Sequence, residues 1–165
     1  MRIFICFFLF NSTLYCCTPR SEVNIKAITT EFYEVYKVRK DSKRFLEFYS
    51  DSVVLEDMVN GDRIVGKQGL AKFFDWSNQD FQLVEKEALV VKDIFVAGHV
   101  AVVYGYFTPF KWGETEFEAM HFTTQLDFDK EGKIVKQVDW INYPSALVDY
   151  SKRKNSNKWI NKPIE

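Results

Sequence analysis

The chain has 165 residues, 47% hydrophobic and 17% aromatic, which is ample for one packed core and short for two. Its 22 Lys and Arg against 23 Asp and Glu leave a formal net charge of -1. That balance argues against nucleic acid as a partner and against a general attraction to anionic membranes.

The amino terminus has the order of an export signal: Met1-Arg2, the apolar run Ile3 to Phe10, then a polar stretch ending in Cys16-Cys17. The apolar run is too short to cross a bilayer as a helix. Leu14 and Cys16 stand before Cys17 as in the lipobox of bacterial lipoproteins, which this stretch resembles. The resemblance implies cleavage after residue 16, a lipid on Cys17 and an exported domain held at the cell envelope by that anchor alone. An ordinary secretory signal with a free Cys17 and an uncleaved anchor are the alternatives. Cleavage there removes Cys6 and Cys16, leaving no cysteine in the globular part for a disulfide, a nucleophile or a thiolate metal site.

Residues 17–23 read as a tether and 24–150 as the domain. Ile25, Ile28, Phe32, Val35 and Tyr36 recur at helical spacing, and the helix ends near Lys40. Asp41 suits the N-cap of a shorter helix with Phe45, Phe48 and Tyr49 on its apolar side. A strand from Val53 to Met58, a turn at Asn60-Gly61-Asp62 and a brief strand Arg63 to Val65 follow. Gly66 then leads into a third helix whose buried stripe is Leu70, Phe73 and Phe74.

From Phe81 the period changes to that of strands. Ala97-Gly98-His99 is a turn, Val100 to Thr108 a strand that Pro109 ends, and Phe117 to Phe128 another. Asp129-Lys130-Glu131-Gly132 turns the chain into a last strand, Ile134 to Tyr143. Residues 151–165 form a polar basic tail. Three helices followed by consecutive hairpins predict an α+β domain, its helices against one side of an antiparallel sheet.

This order, with DSVVLEDMVNGDRIVGKQGLAKFF and the later LDFDKEGKIVKQVDW, resembles the nuclear transport factor 2-like superfamily, in its SnoaL-like and ketosteroid isomerase-like branch. The resemblance covers about residues 24–148. It implies a strongly curved antiparallel sheet wrapped around three N-terminal helices to form a cone-shaped pocket. It also lays Asp57 on the isomerase general base, Tyr33 on its oxyanion-donating tyrosine and His121 on its protonated aspartate. The isomerase proline after the base is Met58 here, and an imidazole replaces the oxyanion acid. Proton transfer is retained on this pattern, while the isomerase reaction itself is put in doubt.

The residues carry their own readings. Asp57 shares strand parity with Val53 and Leu55 and so faces the core if they do, where burial raises its pKa and suits a base. Its alternative is a strand-end acid bonded to the Asn60-Gly61 turn. Tyr33 lies beside Phe32, one turn before Tyr36, as a core aromatic or a donor. Alternation alone turns His121 to solvent, since Met120, Phe122, Leu126 and Phe128 hold the other, more apolar parity. The resemblance instead places it in the pocket. A Phe128–Lys133 pairing sets Trp140 beside it and sends Asp139 outward. Tyr36, Phe74 and Trp140 are the expected pocket walls. The apolar set Met120, Phe122, Leu126, Phe128, Val135, Ile141 and Tyr143 is then an outer face suited to a homodimer.

No phosphate-cradling loop, HExxH helix or other metal-ligand spacing occurs, so neither a metal nor a cofactor is expected. Two functions follow: a noncatalytic domain holding a small apolar molecule, or a cofactor-free isomerase, cyclase or lyase with Asp57 as base and Tyr33 and His121 as donors.

Overall fold

A computed structural model describes residues 23–145, 147–148 and 156–159. The export signal, Cys17 and the tether up to residue 22 lie outside the described residues, as does most of the basic tail.

Helix α1 (Ile25–Val38) starts where the Asn24 side chain accepts the Ala27 N–H, and α2 (Ser42–Glu47) where the Asp41 carboxylate accepts that of Arg44 at 2.8 Å. The first strand, β1 (Tyr49–Asp57), begins earlier than expected because Tyr49 is fully buried beneath the helices. After β2 (Arg63–Val65), Gly66 turns at φ 77° into α3 (Lys67–Phe74). Leu70 of that helix is buried, but Phe73 is 39% exposed and so leaves the predicted stripe.

The strand periodicity that begins at Phe81 resolves into two strands, β3 (Phe81–Leu83) and β4 (Leu89–Ala97). β5 (Val100–Phe107) follows, then the small hairpin β6 (Phe110–Trp112) and β7 (Thr115–Phe117), and the long hairpin β8 (Met120–Phe128) and β9 (Ile134–Ile141). Six strands form a sheet in the order β2-β1-β9-β8-β5-β4, antiparallel except for the β1–β9 pair. A second sheet is ordered β3-β6-β7. This is the α+β cone that the sequence predicts.

In β4 a bulge decides which side chains enter it. Between Val91 and Asp93 the β4 register shifts, so Leu89, Val91 and Ile94 face the core while Phe95 is 56% exposed. A second shift lies between Asp127 and Phe128, so Phe128 meets Ile134 rather than Lys133, and Thr123 meets Trp140. That two-residue difference from the expected pairing leaves the faces unchanged: Phe122, Leu126, Phe128 and Ile141 are core residues because their more apolar parity is the concave one, with Met120 and Tyr143 packed against them. The outer face expected on this set has to be corrected: all of its residues but Val135 are core residues or packed against the core. Gly132, at φ 80°, seats the β8–β9 turn against α1, where an added Cβ comes 2.6 Å from Ile28 Cδ1.

The core is predominantly aromatic. Phe32 meets the rings of Tyr33, Tyr36, Phe45, Phe48 and Tyr49, all with centroids within 6.0 Å. Past β9, a 3-10 turn (Ser156–Trp159) returns to the fold, the Ser156 hydroxyl donating to the Met58 carbonyl at 3.2 Å.

Candidate active site

The concave side of the sheet and the helices enclose a cavity of about 420 Å³. Tyr33 and Tyr36 of α1, Phe74 of α3, and Phe107, Phe122 and Ile141 of the strands make most of its surface apolar. Asp57 and Asp139 interrupt that surface. They are register partners across the parallel β1–β9 pair, on strands about 4.8 Å apart, and both side chains are buried.

The paired acids Glu56 and Asp57 separate as strand alternation requires. Glu56 turns to the other face, where Arg63 Nε (3.2 Å) and Lys136 Nζ (3.0 Å) meet its carboxylate. Asp57 turns in. Its Oδ1 accepts the Val59 and Asn60 N–H groups at 2.9 and 2.8 Å, and its Oδ2 accepts the Tyr143 hydroxyl at 2.6 Å. Burial pushes its carboxyl up, opposed by the Tyr143 hydroxyl and the two turn N–H groups. Asp57 thus lines the cavity and also anchors the turn after β1.

Asp139 has the more perturbed carboxyl, pushed up to about 7 by burial, with the nearby Asp57 charge acting in the same direction. Two donors oppose that shift: the Thr124 hydroxyl to Oδ1 at 2.6 Å and the Gln137 amide to Oδ2 at 2.8 Å. Tyr49 fixes the amide by donating its hydroxyl to Gln137 Oε1 at 2.7 Å. Tyr33 stacks on Phe122 and is also a partner of Thr124. Burial first, and then Asp139, hold its phenol well above its ordinary value, so it stays a donor.

Of the expected site residues, the structure brings Asp57, Tyr33, Tyr36 and Phe74 to the cavity. His121 and Trp140 lie outside it and are corrected accordingly. His121 is exposed on the convex face, near Tyr106, and Trp140 is 42% exposed on the same side. Alternation, not the isomerase register, places His121. The mechanism that joined it to Asp57 and Tyr33 is therefore excluded, because His121 and Asp57 look to opposite sides of the sheet. Asp139, expected to point outward, points in. Among the described residues no group of three or more His, Cys, Asp or Glu side chains is placed to hold a metal ion.

The profile of the SnoaL-like domain family matches residues 29–137. The chain belongs to the SnoaL-like family. The match runs from within α1 to the middle of β9 and ends two residues before Asp139. No curated protein sequence matches.

Solved structures share the SnoaL-like fold. One named as a SnoaL-like polyketide cyclase, from Shewanella putrefaciens, is 17% identical with a TM-score of 0.61, over 72% of this chain and 90% of that one. A protein of ketosteroid isomerase-like fold from Catenulispora acidiphila, in complex with trimethylamine, is 15% identical with a TM-score of 0.58, over 73% and 88%. An epoxide hydrolase from M. tuberculosis is 15% identical with a TM-score of 0.57, over 72% and 82%. At these identities the likeness is one of fold, which does not fix the reaction.

Proposed function

We propose that this SnoaL-like domain binds a small, largely apolar molecule in its cone and transfers a proton on it without a cofactor. The observation that carries the reading is that Asp139 and Tyr33 share Thr124 as a partner on the wall of a largely apolar cavity. A carboxyl near 7 exchanges its proton readily at neutral pH. Asp139 takes the proton from carbon beside a carbonyl, and the Tyr33 phenol donates to the oxygen on which charge develops. Asp57 supports the exchange by keeping its negative charge nearby and by holding the turn.

Solvent-deuterium exchange into a panel of aryl and cyclic ketones, followed by NMR, tests this. Wild type is expected to label the carbon beside the carbonyl, Asp139→Asn to lose labelling and His121→Ala to keep it. Absence of exchange across the panel, with an apolar compound released intact from natively purified protein, supports the noncatalytic binding domain instead.

The amino-terminal pattern supports a further reading, that the domain is exported and held at the envelope by a lipid on Cys17. The expected outcome is a diacylglyceryl mass on the mature protein that Cys17→Ser abolishes. An unlipidated mature chain removes the anchor.

A further inference from the structure

We propose that the ligand of this cavity is an organic monoanion, an apolar body carrying one carboxylate, and that Arg39 at the cavity wall binds the carboxylate. The proposal rests on the cavity being a ligand site and is independent of the chemistry done there. Arg39 follows α1 in a left-handed conformation, φ 52° and ψ 35°, with its N–H on the Val35 carbonyl at 3.3 Å. Glycine is the common residue at such a helix end, and an L-residue there is strained by its Cβ. The chain keeps an arginine, and the conformation delivers its side chain to the cavity.

Two rings hold the guanidinium. Its central carbon lies 4.3 Å from the centroid of Phe81 and 5.1 Å from that of Trp76. Stacking engages the faces of a guanidinium and leaves its N–H edge for a planar, bidentate acceptor.

Among the described residues no carboxylate lies within ion-pair distance of Arg39. The acids of α1, α2 and the loop before β4 that form ion pairs do so with other cations: Glu34 and Glu87 with Lys37, and Glu31 and Glu47 with Arg44. Asp75, also on the cavity wall, is exposed, and its Oδ1 accepts the Ser77 hydroxyl. Burial lowers the pKa of Arg39, so its charge is partly desolvated without a compensating anion. A ligand carboxylate supplies one. Arg39 and Asp139 are both within electrostatic reach of the Tyr36 phenol, with opposite effects on it. An anion at Arg39 therefore places the rest of the molecule along the aromatic wall toward the proton-exchanging group.

The test uses two isosteric probes, 1-naphthaleneacetate and neutral 1-naphthaleneacetamide, titrated into the whole domain by calorimetry. Wild type is expected to bind the carboxylate at least about tenfold more tightly than the amide. Arg39→Gln is expected to remove that preference while leaving amide affinity within about twofold, and Arg39→Lys to retain part of it. Arg39→Gly suits the left-handed backbone and serves as the second variant if Arg39→Gln fails to fold. A guanidinium that only clamps Phe81 and Trp76 predicts equal weakening of both probes, and that result overturns the proposal. So does an unchanged preference in the variants, or a wild type that binds the two probes equally. Retained carboxylate preference with no deuterium exchange on any ketone refutes the catalytic reading alone.

Discussion

The two faces of the β8–β9 hairpin are built from alternating residues of the same strands, yet they place them in opposite environments. On the concave face Phe122, Thr124, Gln137, Asp139 and Ile141 are buried against helices and cavity. On the convex face His121, Thr123 and Trp140 meet solvent to varying degrees. An imidazole is the more familiar proton carrier near neutral pH, but the group on the cavity side is the Asp139 carboxyl, which burial and a neighbouring acid push up to about 7. Enclosure, more than residue type, assigns the chemistry.

The sharpest way to break this comparison is to exchange the two faces' titratable groups for inert ones. Asp139→Asn is expected to lower proton exchange by about 10²–10⁴-fold, the range of general acid–base catalysis, while His121→Ala changes it by less than about twofold. Equal losses, read from single-turnover deuterium incorporation, remove the distinction between the faces.

Stability separates them next. Phe122 stacks on Tyr33 and packs against Phe107, so Phe122→Ala leaves a cavity and is expected to cost about 3–5 kcal/mol in urea unfolding. His121→Ala, one residue away and exposed, is expected to stay within about 0.5 kcal/mol.

A third measurement isolates Asp139 by pH. Its folded value of about 7 lies above its ordinary 3.8, so between those values the folded protein retains a proton that the unfolded chain has lost. Stability from this group is therefore complete below about pH 4, falls as pH rises and levels off above 7. At about 1.4 kcal/mol per pH unit the fall is roughly 2–4 kcal/mol after local relaxation. Asp139→Asn is expected to flatten that part of the curve and to unfold at a higher temperature than wild type at pH 8.

Much of the fold was legible because local signals agree with one another. Asp41 caps α2, Asn60-Gly61 turns between β1 and β2, and the shift from helical to strand periodicity falls where β3 begins. The site was half legible. Parity with Val53 and Leu55 put Asp57 inside, and the aromatics of α1 and α3 line the cavity as expected. Asp139 was missed because the His121 face of the hairpin was taken as the inner one; the observed register differs from the Phe128–Lys133 pairing by two residues, which leaves Asp139 on the same face as Phe122 and Thr124. The signal was present: the more apolar parity of β8 is the buried one, and the same rule on β9 sets Asp139 inward with Ile141. Preferring the isomerase alignment to that rule misplaced His121.

The smallest effect sharpens the contrast between the two inward acids. Asp57 has three donors, two of them backbone N–H groups of its own turn, and Tyr143 supplies the third at 2.6 Å. Tyr143→Phe keeps the ring on the cavity wall and leaves Oδ2 without that donor, so the Asp57 carboxyl rises further. The expected cost is about 1–2 kcal/mol at pH 8, from loss of a hydrogen bond to a charged group. It is smaller at pH 4, where a larger share of Asp57 is protonated and the lost bond is to a neutral acid. Proton exchange should fall only a few-fold, because Asp139 keeps both Thr124 and Gln137. A loss as large as that of Asp139→Asn reverses the assignment: Asp57 then moves the proton, and its turn contacts position a catalytic base.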